Sequence, residues 1–214
     1  MRRIFTLCVC LLGFALGGHA QSVKAAWLAM PDTLSPYLTE AQREECVDLK
    51  EKNLEAKVAN MLQGETVLDT LTAVYLQATL SQSATLQMRV MPADGVDSLI
   101  CVVKTLQAPA KESELSFYDS SWRPLTELQQ VVDSLLEALP AKLVSRPDSM
   151  TEERYQELVQ MIDPVMVEAT LSPDEDALTF RLSTPLLPSG EKEAVARVLS
   201  QRKFKWNGHS FNEY

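Results

Sequence analysis

Few side chains in this chain are able to do chemistry, and they form no recognisable catalytic set. The sequence has two histidines, His19 in an apolar N-terminal segment and His209 near the C-terminus. We expect the segment that contains His19 to be removed, as argued below, so a serine or cysteine nucleophile that needs an imidazole base would have to use His209. Because His209 follows a predicted hairpin turn and would face Trp206, we interpret it as a packing residue. We predict no catalytic residue.

Metal and cofactor sites have equally little support. No CxxC or HxxxH motif remains after residues 1–20, and zinc sites usually use such spacings. The acidic run from Asp174 to Asp176 could offer oxygens to calcium, but a hairpin loop without the calcium-loop spacing is usually a solvated turn. Ser189 and Lys192 match an SxxK pattern without its companion motifs, and Ser189 suits a helix cap. We predict no cofactor-binding site and no metal site.

Two cysteines, Cys46 and Cys101, lie outside the N-terminal segment. Cys46 falls at a core-facing position of a predicted helix, and Cys101 lies in an apolar strand, so we expect both to be buried. An oxidising compartment would permit a disulfide between them, whereas buried thiols could equally stay inert. The sequence leaves both alternatives open.

The N-terminus has the pattern of a secretory leader. Arg2 and Arg3 precede an apolar run from residue 4 to residue 16, and Gly18 and Ala20 place small residues where a signal peptidase cleaves. The run is short for a membrane span. We predict cleavage after Ala20 and a location in the periplasm or outside the cell.

Removing the leader makes the chain more acidic. Loss of its two arginines lowers the basic count from 20 to 18 against 29 acidic residues, which gives a net charge of −11. Such a charge repels phosphate backbones, so we expect neither nucleic acid nor an anionic membrane as a partner. We also expect no transmembrane segment in the mature chain, because no later apolar stretch is long enough.

A four-residue run that occurs twice gives the clearest structural pattern. Ala78 to Ser81 reads Ala-Thr-Leu-Ser, and Ala169 to Ser172 repeats it. Both runs lie in strict apolar and polar alternation, over residues 76–90 and 167–182, and each stretch is broken once by turn residues. Alternation of this kind predicts two antiparallel hairpins, each with one buried face.

The predicted helices repeat as well. Thr39 and Thr151 each open a helix at matching positions before the hairpins, with Thr39 and Gln42 in capping-box spacing. The hairpins also place Arg89 and Arg181 in register. We therefore predict an α+β fold, with antiparallel sheets, helices packed on one face, and internally duplicated helix-plus-hairpin modules. Residues 21–214 would form one compact unit built from two related halves, about 21–145 and 146–214.

The remaining segments are predicted from local signals. We expect an irregular arm over residues 21–38, one or two strands within 53–72, a buried strand at 99–103, and helices over 126–139, capped by Thr126, and 191–200, capped by Ser189. Asn207 and Gly208 form a strong hairpin signal and predict a two-residue loop, with Phe204 facing Phe211.

Three sequence clusters resemble a known family. They are Trp27 with Met30-Pro31-Asp32 and Pro36-Tyr37-Leu38, Phe117-Tyr118-Asp119 with Trp122, and Lys205-Trp206-Asn207-Gly208 with Phe211. Together they resemble an uncharacterised Bacteroidales family of small exported proteins, a domain of unknown function. The resemblance implies a location in the Gram-negative envelope and supplies no activity or catalytic residue.

These observations favour a function in binding. Duplicated helix-on-sheet modules offer broad faces and strand edges, so we predict a non-catalytic module that binds a protein or a glycan of the cell envelope. The alternative is a hydrolase that acts on envelope glycans with two carboxylates, which needs only two acidic residues in one cleft.

Overall fold

The computed structural model describes residues 21–95, 97–184, 187 and 190–214. The fold is α+β, as predicted, and its described residues form five α-helices and ten β-strands. The helices are α1 (Val23–Leu28), α2 (Glu40–Glu51), α3 (Thr126–Ala138), α4 (Glu152–Gln160) and α5 (Lys192–Ala196). The strands are β1 (Lys57–Ala59), β2 (Glu65–Leu71), β3 (Tyr75–Ser81), β4 (Ala84–Met91), β5 (Leu99–Leu106), β6 (Glu112–Asp119), β7 (Met166–Leu171), β8 (Ala177–Ser183), β9 (Gln201–Trp206) and β10 (Phe211–Glu213).

The strands form two antiparallel meanders. One sheet has six strands in the order β1-β2-β3-β4-β5-β6, and the other has four in the order β10-β9-β8-β7. Both predicted hairpins are present as β3-β4 and β7-β8, and the strands expected between residues 53 and 72 are β1 and β2. The apolar run at 99–103 lies in β5, which pairs on both sides, with β4 and with β6.

Two hydrophobic cores lie on opposite faces of the six-stranded sheet. The inner core lies between the two sheets and includes Cys101, Phe117 and Phe180, with α3 and α4 closing its sides. The outer core lies under α1 and α2 and includes Trp27 and Ile100. Ile100 and Cys101 are successive residues, so β5 supplies both cores because side chains alternate between the faces of a strand.

The segment over residues 21–38 is more regular than the sequence indicated. Residues 21–38 were expected to form an irregular arm, but Ser22 accepts a hydrogen bond from the Ala25 amide and starts the six-residue helix α1. The predicted capping box at Thr39 and Gln42 is present and begins α2. Arg43 then fixes the loop between the helices by donating to the backbone carbonyls of Met30 and Leu38.

Of the two helix caps predicted for the later helices, Thr126 is wrong, and Ser189 lies outside the described residues. The N-cap of α3 is Leu125 and not Thr126, because Gln129 uses its side chain on the Leu115 carbonyl and on Asp133 instead of closing a capping box.

The last predicted helix is shorter than expected. Instead of running over 191–200, α5 ends at Ala196, because residues 198–200 pair with residues 143–145, which lie in the connector between α3 and α4. The Ser145 amide donates to the Val198 carbonyl and the Ser200 amide to the Leu143 carbonyl.

The C-terminal hairpin also differs from the expectation. Its loop has four residues, since the Asn207 amide donates to the Ser210 carbonyl and Trp206 pairs with Phe211. Asn207 stabilises this wider loop by accepting hydrogen bonds from the amides of His209 and Ser210. Among the four loop residues, Gly208 is the one with a positive φ, 103°. His209 therefore lies in the loop, and the predicted pairing of Phe204 with Phe211 is wrong.

The predicted duplication stays a prediction. The two Ala-Thr-Leu-Ser runs do lie in the first strand of a hairpin each, in β3 and β7. However, β3 is an interior strand, paired with β2 and β4, whereas β7 is the last strand of its sheet. Arg89 is buried between the sheets and Arg181 is exposed. None of the helices in the described part of the chain is both long and apolar enough to span a bilayer.

Candidate functional site

A cleft of about 620 Å³ with three charged lining residues opens beside the open end of the β7-β8 hairpin. We call it the Glu168 cleft. Its charged residues come from three elements: Glu168 from β7, Arg181 from the directly paired position on β8, and Lys111 from the residue before β6. Its other lining residues are Gln107, Ala110, Leu182, Ser183, Thr184, Ala196, Leu199, Ser200 and Gln201.

One carboxylate holds both cations of this cleft. Lys111 Nζ lies 3.0 Å from one oxygen of Glu168, and Arg181 Nε lies 2.5 Å from the other. The Glu168 side chain is 9% exposed, while those of Lys111 and Arg181 are 44% and 56% exposed. The carboxylate is therefore buried behind two cations that face solvent, and the three groups together carry a net charge of +1.

The ionisation of Glu168 follows from these contacts. Burial acts to raise the pKa of the Glu168 carboxyl, but hydrogen bonds from Arg181 and Lys111 outweigh it and hold the pKa below its ordinary value. The hydrogen bond that Arg181 donates to Glu168 also raises the pKa of the Arg181 guanidinium. Glu168 therefore stays ionised at neutral pH and keeps both cations charged and oriented.

The backbone around this cleft is tied to both sheets. The Lys111 amide donates to the Ser183 hydroxyl oxygen at 2.8 Å, which joins the start of β6 to the end of β8. Ser113 contacts both the amide and the carbonyl of Ala169, next to Glu168. Two paired strands and the residue directly before β6 therefore position the charged groups.

A second cleft, of about 460 Å³, lies at the C-terminal hairpin and contains His209. His209 Nε2 lies 2.6 Å from Asp94 Oδ2, and the two side chains are 71% and 66% exposed. Trp206 forms part of the apolar floor and donates its indole N–H to the Pro92 carbonyl at 2.7 Å. We call this the His209 cleft. His209 is not the cross-strand partner of Trp206 as predicted, because it lies in the wider loop and Trp206 pairs with Phe211.

The acidic loop of the second hairpin serves as a structural contact. Asp176 accepts a hydrogen bond from Arg89 at 2.7 Å, and Ser172 accepts from the amides of Asp174 and Glu175. Among the residues that the structure describes, no group of three or more histidine, cysteine or acidic side chains is placed to hold a metal ion.

The two cysteines are separate buried thiols. Cys46 lies in the outer core and Cys101 in the inner core, so the six-stranded sheet stands between them. Burial, with a smaller contribution from Glu45, raises the pKa of the Cys46 thiol to about 11, and burial also raises the pKa of Cys101. Neither thiol is suited to act as a nucleophile.

Side chains and loops occupy part of both long sheet edges. On the open side of β7, Ser113 accepts from the Ala169 amide and Gln87 accepts from the Leu171 amide. On the open side of β6, the Leu125 amide donates to the Phe117 carbonyl and Gln129 donates to the Leu115 carbonyl. The remaining edge strands, β1 and β10, have three residues each.

Sequence reasoning missed the Glu168 cleft. The alternation of apolar and polar residues predicted that Glu168 and Arg181 lie on the solvent-facing side of their hairpin. We aligned Arg181 with Arg89 of the other hairpin and did not consider its cross-strand partner Glu168. One signal was present: the hairpin register sets an acidic and a basic residue directly opposite each other. Lys111 could not be included, since it reaches Glu168 only through the packing of the two sheets.

Comparisons with known proteins agree with this architecture. A domain of an uncharacterised protein from Porphyromonas gingivalis W83 has a similar fold, with a TM-score of 0.65 and 21% identity. The match covers 91% of this chain and 98% of that domain. The comparison with curated proteins gives no match.

The family profile described as a protein of unknown function, DUF3256, matches residues 15–211. This match and the Porphyromonas neighbour confirm the predicted resemblance to an uncharacterised family of the Bacteroidales. The chain belongs to the DUF3256 family of proteins of unknown function.

Proposed function

We propose that this protein is an exported, non-catalytic binding module of the cell envelope, and that it holds a glycan or protein ligand in the Glu168 cleft. The observation that carries the proposal is the buried Glu168 carboxylate, which orients Arg181 and Lys111 at the mouth of the cleft. Burying a charge is unfavourable, and apolar residues often stabilise a fold as well as a buried ion pair does. A binding role explains why the fold keeps this buried charge: Glu168 orients the cationic donors of Arg181 and Lys111 toward a ligand in the cleft.

The protonation state of Glu168 favours binding over hydrolysis. A carboxylate-based glycosidase needs two carboxyl groups, and its general acid must have a raised pKa. The pKa of Glu168 is instead lowered, and no second carboxylate is among the described residues that line its cleft. The His209 cleft does contain Asp94 and Glu127, but Asp94 is occupied by His209.

The partly occupied sheet edges favour a cleft over strand addition. A peptide that adds to a sheet needs a row of open backbone groups. The outer sides of β6 and β7 are engaged by Gln87, Ser113, Leu125 and Gln129. These contacts occupy part of both long edges, which makes strand addition there unfavourable, and the other edge strands, β1 and β10, have only three residues each.

Export is part of the proposal and rests on residues 1–20, which lie outside the described structure. Mass spectrometry of the protein from its native cells tests it. We expect a chain that begins at Gln21, and a chain that retains the leader would contradict export by this route.

A retention experiment tests the binding function. The processed protein is immobilised and exposed to an envelope extract, and the retained glycan and protein are quantified. We expect the variant K111Q/R181Q to lose the ligand. The control K24Q/R146Q removes the same charges at cations of similar exposure, 40% and 42%, and we expect it to retain the ligand. Retention of nothing by the unmodified protein, or equal retention by both variants, would contradict the proposal.

A further inference from the structure

We infer that the Glu168 cleft recognises the carboxylate of an acidic glycan. This inference rests on the proposed binding function and adds the chemical class of the ligand. Three properties of the cleft carry it: the free donors of Arg181, the net charge of the cluster, and the hydroxyl and amide groups that surround it.

The guanidinium of Arg181 has free donors. It binds Glu168 through Nε, and neither of its Nη atoms has a hydrogen-bond partner among the described residues. Those two atoms form the planar fork that binds a carboxylate through two parallel hydrogen bonds. Because Glu168 holds the Nε side of the same plane, the orientation of the fork is set before a ligand arrives.

The charge of the cluster matches a single carboxylate. Lys111 and Arg181 supply two positive charges, and Glu168 neutralises one of them. One carboxylate would make the site neutral, whereas a phosphate dianion would leave an excess negative charge in a partly enclosed cleft. The mature chain as a whole carries a net charge of −11, so the attraction is local and short-ranged.

The neutral lining fits a sugar. Five residues with hydroxyl or amide side chains surround the charged cluster, namely Gln107, Ser183, Thr184, Ser200 and Gln201. The Ser183 hydroxyl already accepts from the Lys111 amide, and the Ser200 hydroxyl donates to the Lys142 carbonyl. A sugar ring presents several hydroxyls that each need a donor or acceptor once they leave water. A peptide C-terminus carries the same carboxylate, but a peptide that binds by strand addition needs a row of open backbone groups, and side chains occupy part of the β7 edge.

Calorimetric titration tests the ligand class. The probes are galacturonate, glucuronate and sialate oligosaccharides, each paired with its carboxyl-reduced neutral form, and one peptide with a free C-terminus, paired with its amidated form. We expect at least one acidic oligosaccharide to bind, with at least tenfold weaker binding after carboxyl reduction and in R181Q. We expect K111Q to weaken binding by a smaller factor, and R146Q to leave it unchanged. The thermal midpoint of each variant verifies that it is folded.

The outcomes separate this inference from the proposed function. Binding of a neutral glycan, or of an acidic one with equal affinity in R181Q, would overturn the carboxylate assignment and leave the binding function intact. Preference for the peptide would do the same. Failure of every acidic oligosaccharide to bind would overturn the inference but not the binding function, which is tested separately by the retention experiment above.

Discussion

Arg89 of β4 crosses from the six-stranded sheet to bind Asp176 in the loop of the other sheet, with 2.7 Å between Nε and Oδ1. The same guanidinium donates to the backbone carbonyls of Ser172 and Pro173. Arg89 is 5% exposed and the Asp176 side chain is 29% exposed, so the guanidinium is buried while its partner carboxylate is partly open to solvent. One arginine therefore fixes the position of the second hairpin over the first sheet.

Removing this arginine should destabilise the fold strongly. We expect Arg89→Ala to lower the free energy of unfolding by about 3 kcal/mol, because it leaves a carboxylate and two carbonyls without their donor. Arg146→Ala, which breaks a surface pair with Glu152, should lower it by less than about 1 kcal/mol. Urea unfolding measures both, and equal effects would show that Arg89 is not a tie between the sheets.

The side chains that close β7 should protect its amides. We expect the Ala169 amide to exchange with deuterium at least tenfold faster in Ser113→Ala, and the Leu171 amide in Gln87→Ala, because each loses its acceptor. Gln129→Ala, which acts on β6, serves as the control. Unchanged exchange in both variants would mean that the edge of β7 is closed by something else.

Local sequence patterns predicted most of the strands and helices. The predictions failed where segments that are distant in sequence pack together. Alternation identified β3, β4, β7 and β8, because one face of each hairpin packs on a core. The shortness of α5 depends on pairing of residues 198–200 with a connector about 55 residues earlier, which no local signal reports. Glu168 and Arg181 could have been paired from the hairpin register, but Lys111 joins them only after the sheets stack.

The cysteines should behave as two free, protected thiols. In the native protein at pH 8 we expect thiol reagents to modify neither Cys46 nor Cys101, because burial raises both pKa values and blocks access. After denaturation without a reducing agent we expect two thiols per chain. A count of zero would reveal a disulfide and contradict the placement of the cysteines on opposite faces of the sheet.

The ion pairs of Glu168 with Lys111 and Arg181 should make the free energy of unfolding depend on pH in a defined direction. The folded pKa of Glu168 lies below its unfolded value, so its contribution is present above an unfolded pKa of about 4.3 and is lost as the pH falls through the folded value. We expect Glu168→Gln to lower the free energy of unfolding by about 1 to 2 kcal/mol at pH 7, with the difference shrinking toward pH 3.

Urea unfolding at both pH values measures this effect. The exposed Glu44→Gln is the control, and we expect it to change stability by less than about 0.5 kcal/mol at either pH. A Glu168→Gln difference that stays constant, or grows in acid, would show that the cations do not stabilise the ionised carboxylate.

Mapping of the bound ligand by amide chemical shifts tests the central claim most directly. The processed protein, labelled with ¹⁵N, is titrated with the glycan fraction of the envelope, and each perturbed amide is assigned. We predict perturbations concentrated at Lys111, Glu168, Arg181 and Gln201, and their loss in R181Q. Perturbations concentrated instead at the His209 cleft, or no perturbation at saturating ligand, would contradict the assignment of the Glu168 cleft as the binding site.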